Sequence, residues 1–286
     1  MLYRDFATQE ELDAQYNLRT LFPEAASLYE AFCERESGKA REDLPHRLDV
    51  PFGPTLAEHV DLYPAGEGAP VLVYVHGGFW VLRTAREFGF VPRGPASRGV
   101  ATVVTNYALC PAVTIDEQVR QTRAAVAWAY RNARSFGGDP ERLHVAGHSA
   151  GGHLVAMLLA TDWPGDYGLP ADVVKGATAI SGLFDLAPFP YTFLQPKVQL
   201  TWDQVRKNSP ILRLPATAPP LLVAYGEDET AEFKRQSEDF LAAWKEKGLS
   251  GERLVLSGKN HFDVIDGFID ARSPLLTGIL GRMGLE

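Results

Sequence analysis

Leu143-His144-Val145-Ala146-Gly147-His148-Ser149-Ala150-Gly151-Gly152 is the stretch on which the fold turns. Leu143 to Ala146 reads as a buried strand, and Gly152 to Ala160 reads as an apolar helix. Between them, glycines stand two before and two after Ser149. A sharp strand-to-helix turn that exposes a serine needs such glycines, because the backbone there approaches other chain segments closely. A chance match inside a loop would lack this strand-turn-helix context. Ser149 is therefore the candidate nucleophile.

A second segment fits the same chemistry. Val71-Leu72-Val73-Tyr74-Val75 is a β-branched apolar run of the kind that forms a buried parallel strand, and it ends in His76-Gly77-Gly78-Phe79-Trp80. Two successive glycines let main-chain N–H groups point into a cavity instead of a ladder. Acyl transfer needs such donors where negative charge develops on a carbonyl oxygen. Ala150, directly after the serine, would supply one N–H, and Gly78 and Phe79 the others, with Gly77 as a further option. Trp80, next to this loop, is expected to wall the substrate pocket.

A serine nucleophile needs a base and an acid, and in a sheet enzyme with such an elbow they follow in the order serine, acid, histidine. Of the 7 histidines, only His261 lies beyond the last plausible acid loop, in the polar stretch Gly258-Lys259-Asn260-His261-Phe262-Asp263. His148 and His153 flank the serine and read as packing groups around the elbow. The strand Pro219 to Tyr225 exits into Gly226-Glu227-Asp228-Glu229. A carboxylate there would orient the imidazole and stabilise the imidazolium. Glu229 is favoured, since hydrolases of this type often place the acid three residues after the glycine; Asp228 is the alternative.

Strand and helix signals alternate along the chain, which predicts an α/β fold with a mostly parallel twisted sheet and helices on both faces. Expected strands cover 58–63, 71–75, 101–105, 143–146, 174–180, 221–225 and 252–256. Ile115 to Arg134 and Glu232 to Lys247 read as amphipathic helices, and Gly137-Gly138-Asp139-Pro140 ends the first. Residues 1–50 read as helical and polar. Residues 184–214 carry Pro188, Pro190, Pro196 and Pro210 with Phe184, Phe189, Tyr191, Phe193 and Trp202. Both segments interrupt the alternation and would form a small cap on one domain spanning 1–286; the aromatics could roof a pocket.

Composition narrows the partners. Hydrophobic content of 45% and charged content of 22% give an ordinary globular balance over 286 residues. A net charge of −8 without basic clusters argues against nucleic acid or an anionic membrane as partner. Cys33 and Cys110 have no metal-type spacing and suit a reducing compartment. No signal-like or membrane-length apolar run is present, so a cytoplasmic location is expected. The serine, acid and histidine chemistry acts on a small molecule and calls for neither metal nor organic cofactor.

Several motifs resemble those of the kynurenine formamidase (arylformamidase) branch of the α/β-hydrolases, close to the hormone-sensitive-lipase-like esterases. They are His76-Gly77-Gly78-Phe79-Trp80, Asn106-Tyr107-Ala108-Leu109-Cys110-Pro111, Gly138-Asp139-Pro140-Glu141-Arg142 and Gly147 to His153. Glu232-Phe233-Lys234-Arg235-Gln236-Ser237, Asn260-His261-Phe262-Asp263 and Tyr16-Asn17 add to them. The chain departs from the pattern at Glu229, where aspartate is the more frequent occupant. The resemblance implies an α/β-hydrolase fold and hydrolysis of N-formyl-kynurenine to kynurenine and formate, and it allows a homodimer. Two other readings stand beside it: a short-chain carboxylesterase that uses the same residues, and a hydrolase-fold ligand-binding protein that has lost catalysis.

Overall fold

The computed structural model describes residues 1–285. Eight strands form one sheet in the order β1-β2-β4-β3-β5-β6-β7-β8. They are β1 (Arg47–Pro51), β2 (His59–Tyr63), β3 (Ala69–Val75), β4 (Ala101–Thr105), β5 (Gly138–His148), β6 (Gly176–Ile180), β7 (Leu221–Gly226) and β8 (Gly251–Leu256). From β4 across to β8 all neighbours are parallel, whereas β1 and β2 pair antiparallel at one edge. This is the α/β-hydrolase fold, mostly parallel as the alternation predicts. Every residue of β3, β4, β6 and β7 is buried, which is why these strands read as uninterrupted apolar runs.

Three departures from the expected elements have physical causes. Strand β1 lies inside the stretch expected to be helical; it is an edge strand whose residues are only exposed or half-buried, so no apolar run marks it. The helix expected over Glu24 to Glu36 runs on to Asp43 and buries Cys33, Glu36, Ser37 and Ala40. Strand β5 starts five residues early because Gly138 pairs with Ala69 before the apolar run begins. Gly137, at φ 83, takes the left-handed conformation that stops the preceding helical turn.

The parallel strands carry the site at their carboxyl ends, where α/β sheets bind ligands. Helix Ala150–Leu159 follows β5 and is buried along its whole length. The N-terminal helix Gln9–Tyr16 opens with a Thr8–Glu11 capping box and packs on helix Ala231–Glu246. Tyr16 Oη donates to Glu232 at 2.9 Å and accepts from Gln236 Nε2 at 3.0 Å. Phe193 N donates to Asp13 at 2.8 Å, and Tyr3 Oη to Asp185 at 2.8 Å. The N-terminal segment and the 184–214 insertion are thus tied together over one end of the sheet. Among the described residues no helix is long and apolar enough to cross a membrane.

Candidate active site

Ser149 sits at φ 57 and ψ −120, a conformation that costs a non-glycine residue about 1–3 kcal/mol. Its surroundings impose it. A Cβ on Gly151 would lie 2.0 Å from Val75 O, and one on Gly147 would lie 2.4 Å from Gly151 O. Only glycines let β3, β5 and the following helix meet so closely, and their meeting drives the serine outward. Ser149 N donates to Ile180 O at 2.8 Å, while its Oγ has no hydrogen-bond partner among the described residues and faces a cavity.

The loop after β3 has three successive residues at positive φ, Gly78 at 121°, Phe79 at 51° and Trp80 at 63°. Among the described residues, no protein acceptor takes the N–H of Gly78 or Phe79. The N–H of Ala150, first residue of its helix, is one of the donors a helix start leaves free. Gly78 and Phe79 line the same cavity as Ser149. The loop is pinned from below. His76 stacks on Tyr107 at 4.2 Å between ring centroids, and Tyr107 Oη donates to His76 O at 2.8 Å. Trp80 O accepts from Cys110 N at 2.9 Å and from Gln118 Nε2 at 2.8 Å.

Trp80 corrects the expectation from sequence. Its side chain is fully buried and does not line the cavity. Trp80 Nε1 donates to His153 Nδ1 at 3.1 Å, which leaves His153 Nε2 to donate to Asn208 O at 2.8 Å. Burial lowers the His153 pKa to about 4, in keeping with that neutral tautomer. Phe79, one residue earlier, is the aromatic that faces the cavity. The insertion gives a similar correction. Of its aromatics only Phe193 lines the cavity, whereas Phe184 and Phe189 lie in the core and Trp202 packs beside Tyr191.

The carboxylate and the imidazole meet. His261 Nδ1 lies 2.9 Å from Glu229 Oε2, with both side chains almost wholly buried. Glu229 Oε1 accepts from Ser181 Oγ at 2.5 Å and from Gly226 N at 2.8 Å. Asp228 and Glu227 are exposed, and Glu227 bonds Ser257 and Gly258 instead. A Cβ on Gly226 would lie 2.1 Å from Lys259 O, so the acid loop and the histidine loop pack backbone to backbone. The His261 ring packs on Phe233 at 4.2 Å and on His148 at 4.6 Å. Burial, with His261 alongside, holds the His148 pKa well below the usual imidazole range.

Ser149 and His261 share one cavity of about 170 Å³, with Tyr29, Phe79, Leu82, Phe193 and Phe262 on its apolar side. Ser181 was not anticipated; a polar residue directly after buried β6, at the carboxyl edge of the sheet, was the available signal. Arg19 and Lys197, also unanticipated, line the cavity only because two distant segments dock over it.

A parallel sheet with a strained serine between β5 and a buried helix defines an α/β-hydrolase, and the comparisons agree. Residues 60–164 match the family described as BD-FAE. Kynurenine formamidase of Danio rerio is 28% identical over 289 residues, covering 96% of each chain. Kynurenine formamidase of Salmo salar is 31% identical over 246 residues, covering 83% of this chain and 82% of that protein. A crystal structure from Silicibacter sp. TM1040, named provisionally as a thioesterase, superposes with a TM-score of 0.80 at 30% identity, over 93% of this chain and 98% of that one. The protein is a hydrolase of ester or amide bonds, and it belongs to the kynurenine formamidase family.

Proposed function

We propose that this chain hydrolyses an aryl formamide, such as N-formyl-kynurenine, to the free aryl amine and formate. The observation that carries the reading is the buried Glu229–His261 pair opening onto the same cavity as Ser149. Ser149 Oγ attacks the formyl carbon while His261 takes its proton, with Glu229 holding the imidazole and stabilising the imidazolium. This hydroxyl–imidazole contact forms as substrate seats, since catalytic hydrogen bonds commonly tighten only in the Michaelis complex. The N–H groups of Gly78, Phe79 and Ala150 receive the oxyanion. Collapse of the tetrahedral species breaks the C–N bond, and His261 returns the proton to the departing nitrogen. Water, deprotonated by His261, then releases formate from the formyl-serine.

Two features support a small acyl group on an aromatic leaving group. The cavity, about 170 Å³, is smaller than the roughly 300–1,000 Å³ of typical ligand pockets. Its apolar side presents Tyr29, Phe79, Phe193 and Phe262 to a planar ring. An aryl amine is also a better leaving group than an alkyl amine. The likeness to two kynurenine formamidases, along 96% and 83% of the chain, points the same way.

Measuring kcat/KM for N-formyl-kynurenine and for p-nitrophenyl acetate tests the proposal. A preference of at least a hundredfold for the formamide is expected once intrinsic reactivity is allowed for. Equal efficiency, or a preference for the ester, would replace it with a short-chain carboxylesterase that uses the same residues. Labelling of Ser149 by a fluorophosphonate separates both from a binding protein that lacks catalysis, which should not react.

A further inference from the structure

His148, the residue before Ser149, is 4% exposed, and its ring packs on the His261 ring at 4.6 Å between centroids. It also borders the loop after β3. A Cβ on Gly77 would lie 2.8 Å from His148 O and 3.4 Å from His148 Nδ1. One ring thus stands where the serine turn, the glycine loop and the His261 loop meet. Among the described residues, neither of its buried nitrogens makes a hydrogen bond of normal geometry. Burial, with His261 alongside, keeps the imidazole neutral, although the main-chain carbonyl of His261 favours a proton on it. A phenylalanine would fill the same place without burying two unpaired polar atoms.

We infer that His148 is a positioning residue: its ring braces the His261 imidazole, and its N–H donates to the His261 carbonyl as that imidazole closes on Ser149. The inference rests on the preceding reading, in which Ser149 and His261 do the chemistry. Two contacts of the His261 loop are open together, one to Ser149 Oγ and one to the His148 ring. Both partners belong to the serine turn, so the movement that completes one completes the other. Catalytic hydrogen bonds are often long before substrate binds and tighten in the Michaelis complex. Here the tightening has a donor on the nucleophile's own turn, which registers base and nucleophile against each other. A neutral ring suits this duty, because a second positive charge would oppose the imidazolium formed during attack.

Three variants test this on whichever of N-formyl-kynurenine and p-nitrophenyl acetate is turned over faster. His148→Phe keeps a ring and loses both nitrogens, so the melting temperature should hold or rise. Its kcat should fall about tenfold or more while KM stays within about twofold, because a misplaced base costs turnover and not binding. His148→Asn and His148→Gln carry an amide N–H near the places of Nδ1 and Nε2, and one of them should recover part of the lost kcat. Wild-type kcat in His148→Phe, or a loss confined to KM, overturns the inference. Should His148→Phe fail to fold, the two amide variants decide, and equal kcat in both overturns it. Fluorophosphonate labelling of Ser149 in His261→Ala, with and without His148→Phe, separates the two readings. Labelling of His261→Ala at the wild-type rate would remove His261 as the base, and the preceding reading would fall. Slow labelling in His261→Ala that His148→Phe slows further would leave that reading standing and overturn this inference alone, because His148 would then act by another route.

Discussion

Ser181 Oγ donates to Glu229 Oε1 at 2.5 Å, in a site where the serine is fully buried and the glutamate nearly so. The bond ties the end of β6 to the acid loop after β7, since Ser181 N also donates to Ala224 O at 2.7 Å. One carboxylate oxygen is thereby committed to Ser181 and Gly226, and the other is left for His261. A glutamate has one methylene more than an aspartate, and with it more freedom to turn. Holding one oxygen from two sides removes that freedom.

Ser181→Ala should therefore act through Glu229. The variant leaves a buried carboxylate oxygen with one donor fewer, at a cost of about 1–3 kcal/mol in stability. Activity should fall by roughly 10-fold or more, mostly in kcat, because the imidazole is less well oriented. Steady-state kinetics beside urea unfolding would check both. Unchanged kcat with lowered stability would reduce Ser181 to a packing residue.

Trp80 and Phe79 are neighbours with opposite duties. Trp80→Phe removes the donor to His153 Nδ1 in a fully buried place, so about 1–3 kcal/mol of stability should be lost. Substrate KM should change little, because the indole does not reach the cavity. Phe79→Ala should raise KM several-fold with a smaller effect on melting, since its ring lies against Phe193 and Phe233 at 6.3 Å and faces the cavity. The reverse pattern, with KM moved by Trp80 and not by Phe79, would contradict the placement of the two rings.

The contrast between these two residues shows how far the sequence could be read. Runs such as Val71 to Val75 and Leu221 to Tyr225 announce buried parallel strands because every side chain in them is apolar. Strand β1 announces nothing, being exposed on one face and only half-buried on the other. Ser149, Glu229 and His261 could be nominated as candidates because the proposed chemistry fixes their order along the chain. Side-chain direction within a loop has no such rule: Phe79 and Trp80 both take positive φ, and sequence adjacency does not say which faces the ligand. The cavity wall at Arg19 and Lys197 depends on tertiary docking, which leaves no local pattern.

Buried imidazoles should make the fold acid-sensitive. Burial lowers the pKa of His76, His144 and His153 each to about 4 from 6.5, and that of His148 well below its usual range. As pH falls below 6.5 the unfolded chain takes up protons that the folded chain refuses, so stability falls from there down to about pH 4. Each such histidine removes up to about 1.4 kcal/mol per pH unit within that window. Asp266 works in the opposite sense, because burial raises its pKa from 3.8 to about 6 and the folded state binds that proton first. Burial also raises the Asp61 carboxyl, in the same sense, but two carboxyls offset only part of four imidazoles. Denaturant unfolding at pH 7, 6 and 5 should show decreasing free energy; constant or rising stability would refute the account.

The elbow itself separates chemistry from folding. Ser149→Ala keeps the same backbone strain and removes only an Oγ that bonds to nothing in the protein, so the melting temperature should stay within a few degrees while turnover is abolished. Gly151→Ala does the reverse. Its new Cβ would fall 2.0 Å from Val75 O, and backbone cannot swing away as a flexible side chain can. Strand β3 or the helix after Ser149 must shift, at about 3 kcal/mol or more, in line with severe overpacking. Because β3 leads into the loop of Gly78 and Phe79, that shift also moves the N–H donors relative to Ser149. Gly151→Ala should accordingly lose both stability and activity, as read by calorimetry and kcat/KM on the same preparation. A Gly151→Ala protein with wild-type melting would mean that the close approach of helix and strand is not what sets the serine in place.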